Sequence, residues 1–292
     1  MKRIMVFLYL SAASFINYAQ PILPVQFDEL SGPQVIEAVN ASHGICLLPF
    51  GIMEKHGPHL PLSTDLIIAR EIALKAAQHE YCVVFPAYYF GQINEARHQP
   101  GAIAYSHTTI WNLLQETVNE LSRNGFKKII IVNGHGGNHD FIRYFLISQL
   151  ESPKDYVVVN YEPLQDTSYL HSLEKLLDPA GYGHAGSDET SMVLAIRPDL
   201  VHPELASQQS GEDLKRLASI PGQYTGIWWY ARFPNHYGGE SSNPSAEYGR
   251  KVNEYMIDQL EVLIRELKSS DIIEELQQKF YEQSKNPLST EQ

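Results

Sequence analysis

The residues best suited to chemistry in this chain run from Glu54 to Asp65, in the stretch EKHGPHLPLSTD. If the segment stays extended, Glu54 and His56, two positions apart, point to the same side. His59 and a rigid Leu60-Pro61 pair follow, and Asp65 comes directly after Thr64 at what reads as a helix start. Two carboxylates and two imidazoles this close together make a divalent-metal site. Imidazole suits Zn, Fe and Mn-type ions, and a carboxylate can bridge two of them. The competing reading is a polar loop whose histidines cap backbone groups.

Two further groups carry the same chemistry. Asn133-Gly134-His135-Gly136-Gly137-Asn138 follows directly on the apolar run Ile129 to Val132. Its glycines let the backbone turn sharply and approach a ligand closely. Such a turn before a helix could instead cradle a phosphate. The Walker lysine is absent, however, and Asn138 or His139 stands where a dinucleotide fingerprint needs its third glycine. His135 is therefore read as a metal ligand. In Gly183-His184-Ala185-Gly186-Ser187-Asp188-Glu189-Thr190-Ser191, the acids fall in the first turn of a short helix, where the helix dipole alone favours them. The functional reading makes Glu189 a ligand or ligand-orienting carboxylate and His184 a general acid/base across the site.

An alternation of strand and helix must position these groups. Ile45, Leu47, Leu48 and Phe50 form a buried strand that stops at Gly51. A helix over Leu66–His79, with Ser63, Thr64 and Asp65 as cap candidates, leads to a strand at Cys82–Phe85. A helix over Thr108–Arg123, stopped by Gly125, leads to the strand Ile129–Val132, apolar on all sides like a parallel strand covered on both faces. Phe141–Leu150 is helical and Tyr156–Val159 is a fourth strand. This order predicts a three-layer α/β/α fold with a mainly parallel central sheet. Its active site belongs beyond the carboxyl ends of the strands, the edge that receives Glu54, His56 and His135. A closing helix runs from about Pro244 to Lys268. The polar tail 269–292 should fray, although Ile272, Ile273, Leu276 and Phe280 could dock as an amphipathic turn or two. Two inserts, 161–182 and 203–240, shape the entrance. For Trp228, Trp229, Tyr230 and Phe233 in the second, a core role ranks ahead of a pocket or subunit contact.

The whole chain has 292 residues, 43% hydrophobic and 19% charged, as in ordinary soluble domains. A formal charge of −12 leaves no excess of Lys and Arg for phosphates, which argues against nucleic acid as a partner. Lys2 and Arg3 precede an apolar stretch, Ile4 to Phe15, too short to span a bilayer. With small residues up to Ala19, this reads as a signal peptide over residues 1–19. The protein is then exported, periplasmic or secreted, with no stable membrane span after processing. An uncleaved anchor is the alternative. Cys46 and Cys82 lie in apolar, strand-like runs and are read as buried free thiols.

The blocks EKHGPHLPLSTD, NGHGGN and HAGSDETS, with the closing YGGESSNPSAEYGRKVNEYMIDQLEVLI, resemble the creatininase family of metal-dependent amidohydrolases. The likeness covers roughly residues 27 to 268 and makes 20–268 the catalytic domain. It implies a creatininase-like three-layer fold, a homo-oligomer, often a hexamer, and two divalent metal ions (Zn, Mn or Fe) per subunit. Glu54 and His135 would hold one ion and His56 the other, with Asp65 bridging. Two such ions acidify a bridging water to hydroxide and polarise an amide carbonyl. His184 would protonate the leaving nitrogen, and Glu189 matches the acid of the family's third block. Gly136, Gly137, Asn138 and Trp228 are the expected substrate contacts. Gly137 stands where creatininase proper carries a glutamate ligand, so the second ion must rely on His56, Asp65, water and Glu189. Ala102 stands where the family commonly has threonine. The resemblance thus implies hydrolysis of a small cyclic or linear non-peptide amide, with the departure at Gly137 leaning from creatinine itself toward the formamides or peptide-like amides of the wider family. The alternatives are a peptidase that trims short peptides and a metal-binding receptor without catalysis. Glu95 and His98 either line the pocket or are solvated loop residues, the latter being preferred.

Overall fold

The structure, a computed structural model, describes residues 23–163, 169, 172–177 and 181–289. The expected signal peptide, residues 1–19, lies outside the described residues, as do parts of the insert 161–182. The described helices are α1 (Gly32–Ala41), α2 (Thr64–His79), α3 (His107–Arg123), α4 (His139–Ser148), α5 (Ser187–Ile196), α6 (Trp228–Arg232), α7 (Ala246–Ser269) and α8 (Ile272–Ser284). The strands are β1 (Ile45–Phe50), β2 (Val83–Val84), β3 (Lys128–Asn133) and β4 (Val157–Asn160). They form one parallel sheet in the order β2-β1-β3-β4.

Alternation along the two central strands divides the core. Ile45, Leu47, Ile130 and Val132 face a layer built from α2, α5 and α7, where Ile72, Val193 and Leu260 pack. Cys46, Leu48, Phe50, Ile129 and Ile131 face the opposite layer, where Ala38 of α1, Leu114 of α3 and Phe145 of α4 pack. Both faces are dry, which is why these strands read as unbroken apolar runs. From β1 the chain moves outward to β2, and from β3 it moves the other way to β4. The strand order therefore reverses between β1 and β3, the place where open α/β sheets bind ligands. Cys46 and Cys82 are free and buried, and no described helix is long and apolar enough to cross a membrane.

Several boundaries differ from those expected. The second strand is only Val83–Val84. The closing helix starts at Ala246, because the Ser245 hydroxyl accepts from Tyr248 N and caps the first turn there, not at Pro244. The tail does not fray over its length. Residues 272–284 form α8, yet the expected apolar stripe is not what docks. Ile272, Leu276 and Phe280 remain exposed, while Tyr281 is buried and donates to Gln149 O, and Gln277 donates to Tyr156 O.

Lys128 fastens this end of the molecule. It is buried at the start of β3, and its Nζ lies 2.7 Å from Leu267 O, 3.0 Å from Ser270 O and 2.7 Å from Asp271 Oδ1. One ammonium thus satisfies carbonyls at the end of α7 and the acid that opens α8. Lys128→Met keeps the stem but strands those acceptors. It is expected to destabilise the fold by roughly 2 kcal/mol, as hydrogen bonds to a charged group do. Urea unfolding measures this, and an unchanged midpoint would show that the clamp is dispensable.

Candidate metal centre

Close packing at the sheet's carboxyl edge assembles the site. Phe50 at the end of β1 pairs with Asn133 at the end of β3, so the segments bearing Glu54 and His135 leave adjacent strands side by side. The first turn of α2 is wedged between them. A Cβ at Gly51 would lie 2.9 Å from Asp65 Cβ, and one at Gly134 would lie 2.3 Å from Asp65 O. Only glycine permits that approach. Thr64 Oγ1 donates to Pro61 O and fixes the turn that delivers Asp65 inward.

The resulting cluster is almost dry: Glu54, His56, Asp65 and His135 are all buried. His135 Nδ1 lies 2.9 Å from Glu54 Oε1 and 3.2 Å from Asp65 Oδ2. His56 Nε2 lies 3.1 Å from Asp65 Oδ1 and 3.7 Å from both Glu54 Oε1 and Glu189 Oε2. Asp65 therefore presents one oxygen to each imidazole. Despite these distances, among the described residues Glu54 Oε1, His56 Nε2 and Asp65 Oδ2 have no hydrogen-bond partner, and neither does His135 Nε2. Atoms so close yet not directed at one another are arranged as ligands of a common cation are. Glu54, Asp65 and His135 can converge on one point, and Glu54, His56 and His184 on another.

The electrostatics follow from burial and proximity. Burial alone would raise the Glu54 carboxyl, but His135, His184 and His56 outweigh it and hold it well below the usual range. Against the same burial, Asp65 and Glu54 raise His56 to about 9, and Glu54 and Asp65 raise His135 well above its ordinary value. Glu189 sits in the first turn of α5, where its Oε2 accepts from Ala185 N at 2.7 Å. Burial pushes it up to about 8 although His56 opposes the shift. Its side chain is 29% exposed where it lines the cavity, and protein encloses the rest.

His184 is held from two sides. Its Nε2 lies 3.0 Å from Lys55 O, and a carbonyl can only accept, so Nε2 carries the proton and Nδ1 the lone pair. Its ring lies 4.3 Å from that of His56, tilted by 35°. The backbone bridges to Gly238, with Gly238 N donating to His184 O. Burial pushes His184 down to about 3, leaving a neutral base.

Sequence reasoning missed His236. This buried imidazole bonds Glu54 Oε2 through Nε2 and receives the Trp229 indole N–H on Nδ1 at 2.7 Å. It orients Glu54 from behind as an outer-shell partner does. A histidine far along the chain, with no neighbouring ligand-type residue, gave no local signal. Backbone strain marks the same place: Ala185 and His236 both hold left-handed φ, at 57° and 51°.

Two expected participants stand elsewhere. His59 is turned away where Gly57 takes φ of 58°, and its Nε2 contacts Thr190 Oγ1 at 3.0 Å, outside the cluster. Asn138 does not face substrate. It is fully buried, with Oδ1 accepting from Gln92 N and Nδ2 donating to Asn133 Oδ1, so it braces the loop. Gly136, Gly137 and Trp228 do line the cavity, about 310 Å³, that opens over the cluster beside His184 and Glu189. Trp229 lines it too, and of Trp228, Trp229, Tyr230 and Phe233 only Phe233 is buried. Glu95 is also a lining residue, whereas His98 lies outside on Pro234 O.

A family profile described as "Creatininase: Creatinine amidohydrolase" matches residues 28–264. The chain belongs to the creatininase family. Creatinine amidohydrolase from Pseudomonas putida is 26% identical over 191 residues, 59% of this chain and 72% of that protein. The mycofactocin precursor peptide peptidase of Mycolicibacterium smegmatis is 29% identical over 181 residues, 60% of this chain and 67% of its own length. A solved manganese form of creatininase superposes with a TM-score of 0.70 at 22% identity, over 84% of this chain and 99% of that one. That likeness establishes the creatininase fold, and the family's relatives are hydrolases.

Proposed function

We propose that this protein is a metal-dependent amidohydrolase cleaving a C–N bond of a small amide. The observation that carries the reading is the set of buried, unpartnered ligand atoms of Glu54, His56 and Asp65 under a cavity at the strand-order reversal. The donor set fits divalent ions of the Zn, Mn or Fe type. Glu54 and His135 would hold one ion and His56 and Glu189 the other, with Asp65 between them. When bound, the ions acidify a water and polarise the amide carbonyl.

The chain's own residues supply the rest. His184, neutral at rest, takes up a proton and returns it to the leaving nitrogen, without which an amide expels that nitrogen poorly. Glu54, 3.9 Å from His184 Nε2, stabilises the ring while it is charged. His236 and Trp229 fix Glu54 in turn. Gly136 and Gly137 leave the floor of the cavity open for the substrate, and Trp228 gives it an apolar wall. Trimming of short peptides is the second reading, supported by the peptide peptidase among the relatives. Homo-oligomeric assembly and action outside the cytoplasm belong to the proposal as well, supported by the family resemblance and by the sequence of residues 1–19.

The test is metal analysis of purified protein, followed by assay of creatinine, formamides and short peptides with and without added Mn or Zn. Metal-dependent turnover of at least one amide is the expected outcome. Fully metallated protein that turns over none of them would overturn the reading in favour of a receptor.

A further inference from the structure

We infer that Glu95 selects substrates, so that the amide accepted here carries an ammonium or guanidinium group beyond the scissile bond. This rests on the amidohydrolase reading and names its substrate class. Glu95 sits on the short helical turn Asn94–Ala96, anchored by buried Ala96. The loop presets the carboxylate. Asn138 Oδ1 holds Gln92 N at 2.9 Å, Gln92 Oε1 accepts from Asn94 N at 2.7 Å, and Gln92 Nε2 donates to Glu95 Oε2 at 2.9 Å. Oε2 is thereby pinned and Oε1 left free. Oε1 lies 2.8 Å from the point where a Cβ on Gly137 would stand, so it borders the floor of the cavity over the cluster.

A second cavity, about 430 Å³, shares Glu95, Gly136, Gly137 and Trp228 with the first and adds Asp140 and Tyr224. Glu95 thus stands where the two meet. The first cavity's other carboxylates, Glu54, Asp65 and Glu189, belong to the candidate ligand set, but Glu95 does not. Among the described residues no lysine or arginine lines either cavity, and the second is also lined by His107 and His139. Arg97 lines a third depression that Glu95 also borders, but among the described residues the two make no ion pair. A substrate reaching outward from the cluster therefore meets a fixed, half-buried carboxylate oxygen, a second carboxylate from Asp140, and the faces of Trp228 and Tyr224. A cation satisfies all of these, whereas an anionic substrate is repelled.

The experiment measures binding, so it does not depend on turnover. Mn-loaded protein is titrated calorimetrically with 4-aminobutanamide, cationic at neutral pH, and with its neutral isostere pentanamide. The cationic amide should bind roughly tenfold tighter or better, the worth of a hydrogen bond to a charged partner. Glu95→Gln should remove most of that preference, and added salt should shrink it. Asp140→Asn, on the outer wall, should remove a smaller part and serves as a second variant should Glu95→Gln fold poorly. Equal binding of the two amides by the wild-type protein overturns the inference, and so does a preference unchanged in Glu95→Gln. If the preference holds while no amide is hydrolysed, the amidohydrolase reading fails and the cation selectivity stands. If amides are hydrolysed with no preference, only the selectivity fails.

Discussion

On the proposed metal-dependent reading, replacing Asp65 by asparagine is expected to cost the protein its bound metal and, with it, its activity. Asp65 is buried between His56 and His135, with one oxygen 3.1 Å from the first and the other 3.2 Å from the second. No other carboxylate among the described residues touches both imidazoles this closely. The amide is nearly isosteric, so the wedge of α2 between Gly51 and Gly134 is preserved. It exchanges one anionic oxygen for an NH₂ that cannot coordinate a cation. Outer-shell partners of metal ligands cost about 10–100-fold in affinity or activity when removed. A shared ligand should therefore cost more than about 100-fold in kcat/KM. Elemental analysis after dialysis should find less than half the wild-type metal content. Circular dichroism should show an intact fold, because the variant removes a buried charge instead of opening a hole. Wild-type metal content in Asp65→Asn would sink the shared-ligand assignment even if activity fell.

How much of this was legible in the sequence depended on whether the signal was local. β1 and β3 are covered on both faces, so their sequences are continuous apolar runs that nothing else imitates. β2 is two residues long, and its flanks Cys82 and Phe85 are apolar for packing reasons alone, so hydrophobicity overstated the strand. The tail was misjudged because its apolar residues face solvent while Gln277 and Tyr281 make the contacts. Within the site, Glu54, His56, Asp65 and His135 were readable from their spacing and their place after strands. His59 shares the same stretch but is sent elsewhere by the turn at Gly57, which spacing does not encode. Asn138, at the end of a glycine-rich loop, is grouped with the substrate contacts, yet the loop folds over it. His236 and Trp229 reach Glu54 only through the tertiary fold, from a segment whose aromatics read first as core.

His184→Gln separates catalysis from metal holding. His184 is close enough to Glu54 and His56 for the three to share a cation, which makes a ligand role the rival to proton transfer. The bond from Nε2 to Lys55 O decides between them for that nitrogen, since a ring nitrogen that donates a proton has no lone pair for a metal. Glutamine can still donate to Lys55 O but cannot cycle a proton. The expected result is a fall in kcat of about 10²–10⁴-fold, the usual contribution of a general acid/base. KM and metal content should stay near wild type. Concurrent loss of metal would make His184 a ligand instead. A stability measurement on metal-free protein gives an independent check. His184 is held at about 3 in the folded state, against 6.5 for an unperturbed histidine. Below 6.5 the unfolded chain takes up a proton that the folded site refuses, so this group costs stability as pH falls and nothing above that range. His184→Gln should therefore lose less stability than the wild-type protein between pH 7 and 4, roughly, while His56 and His135, common to both, titrate alike in each.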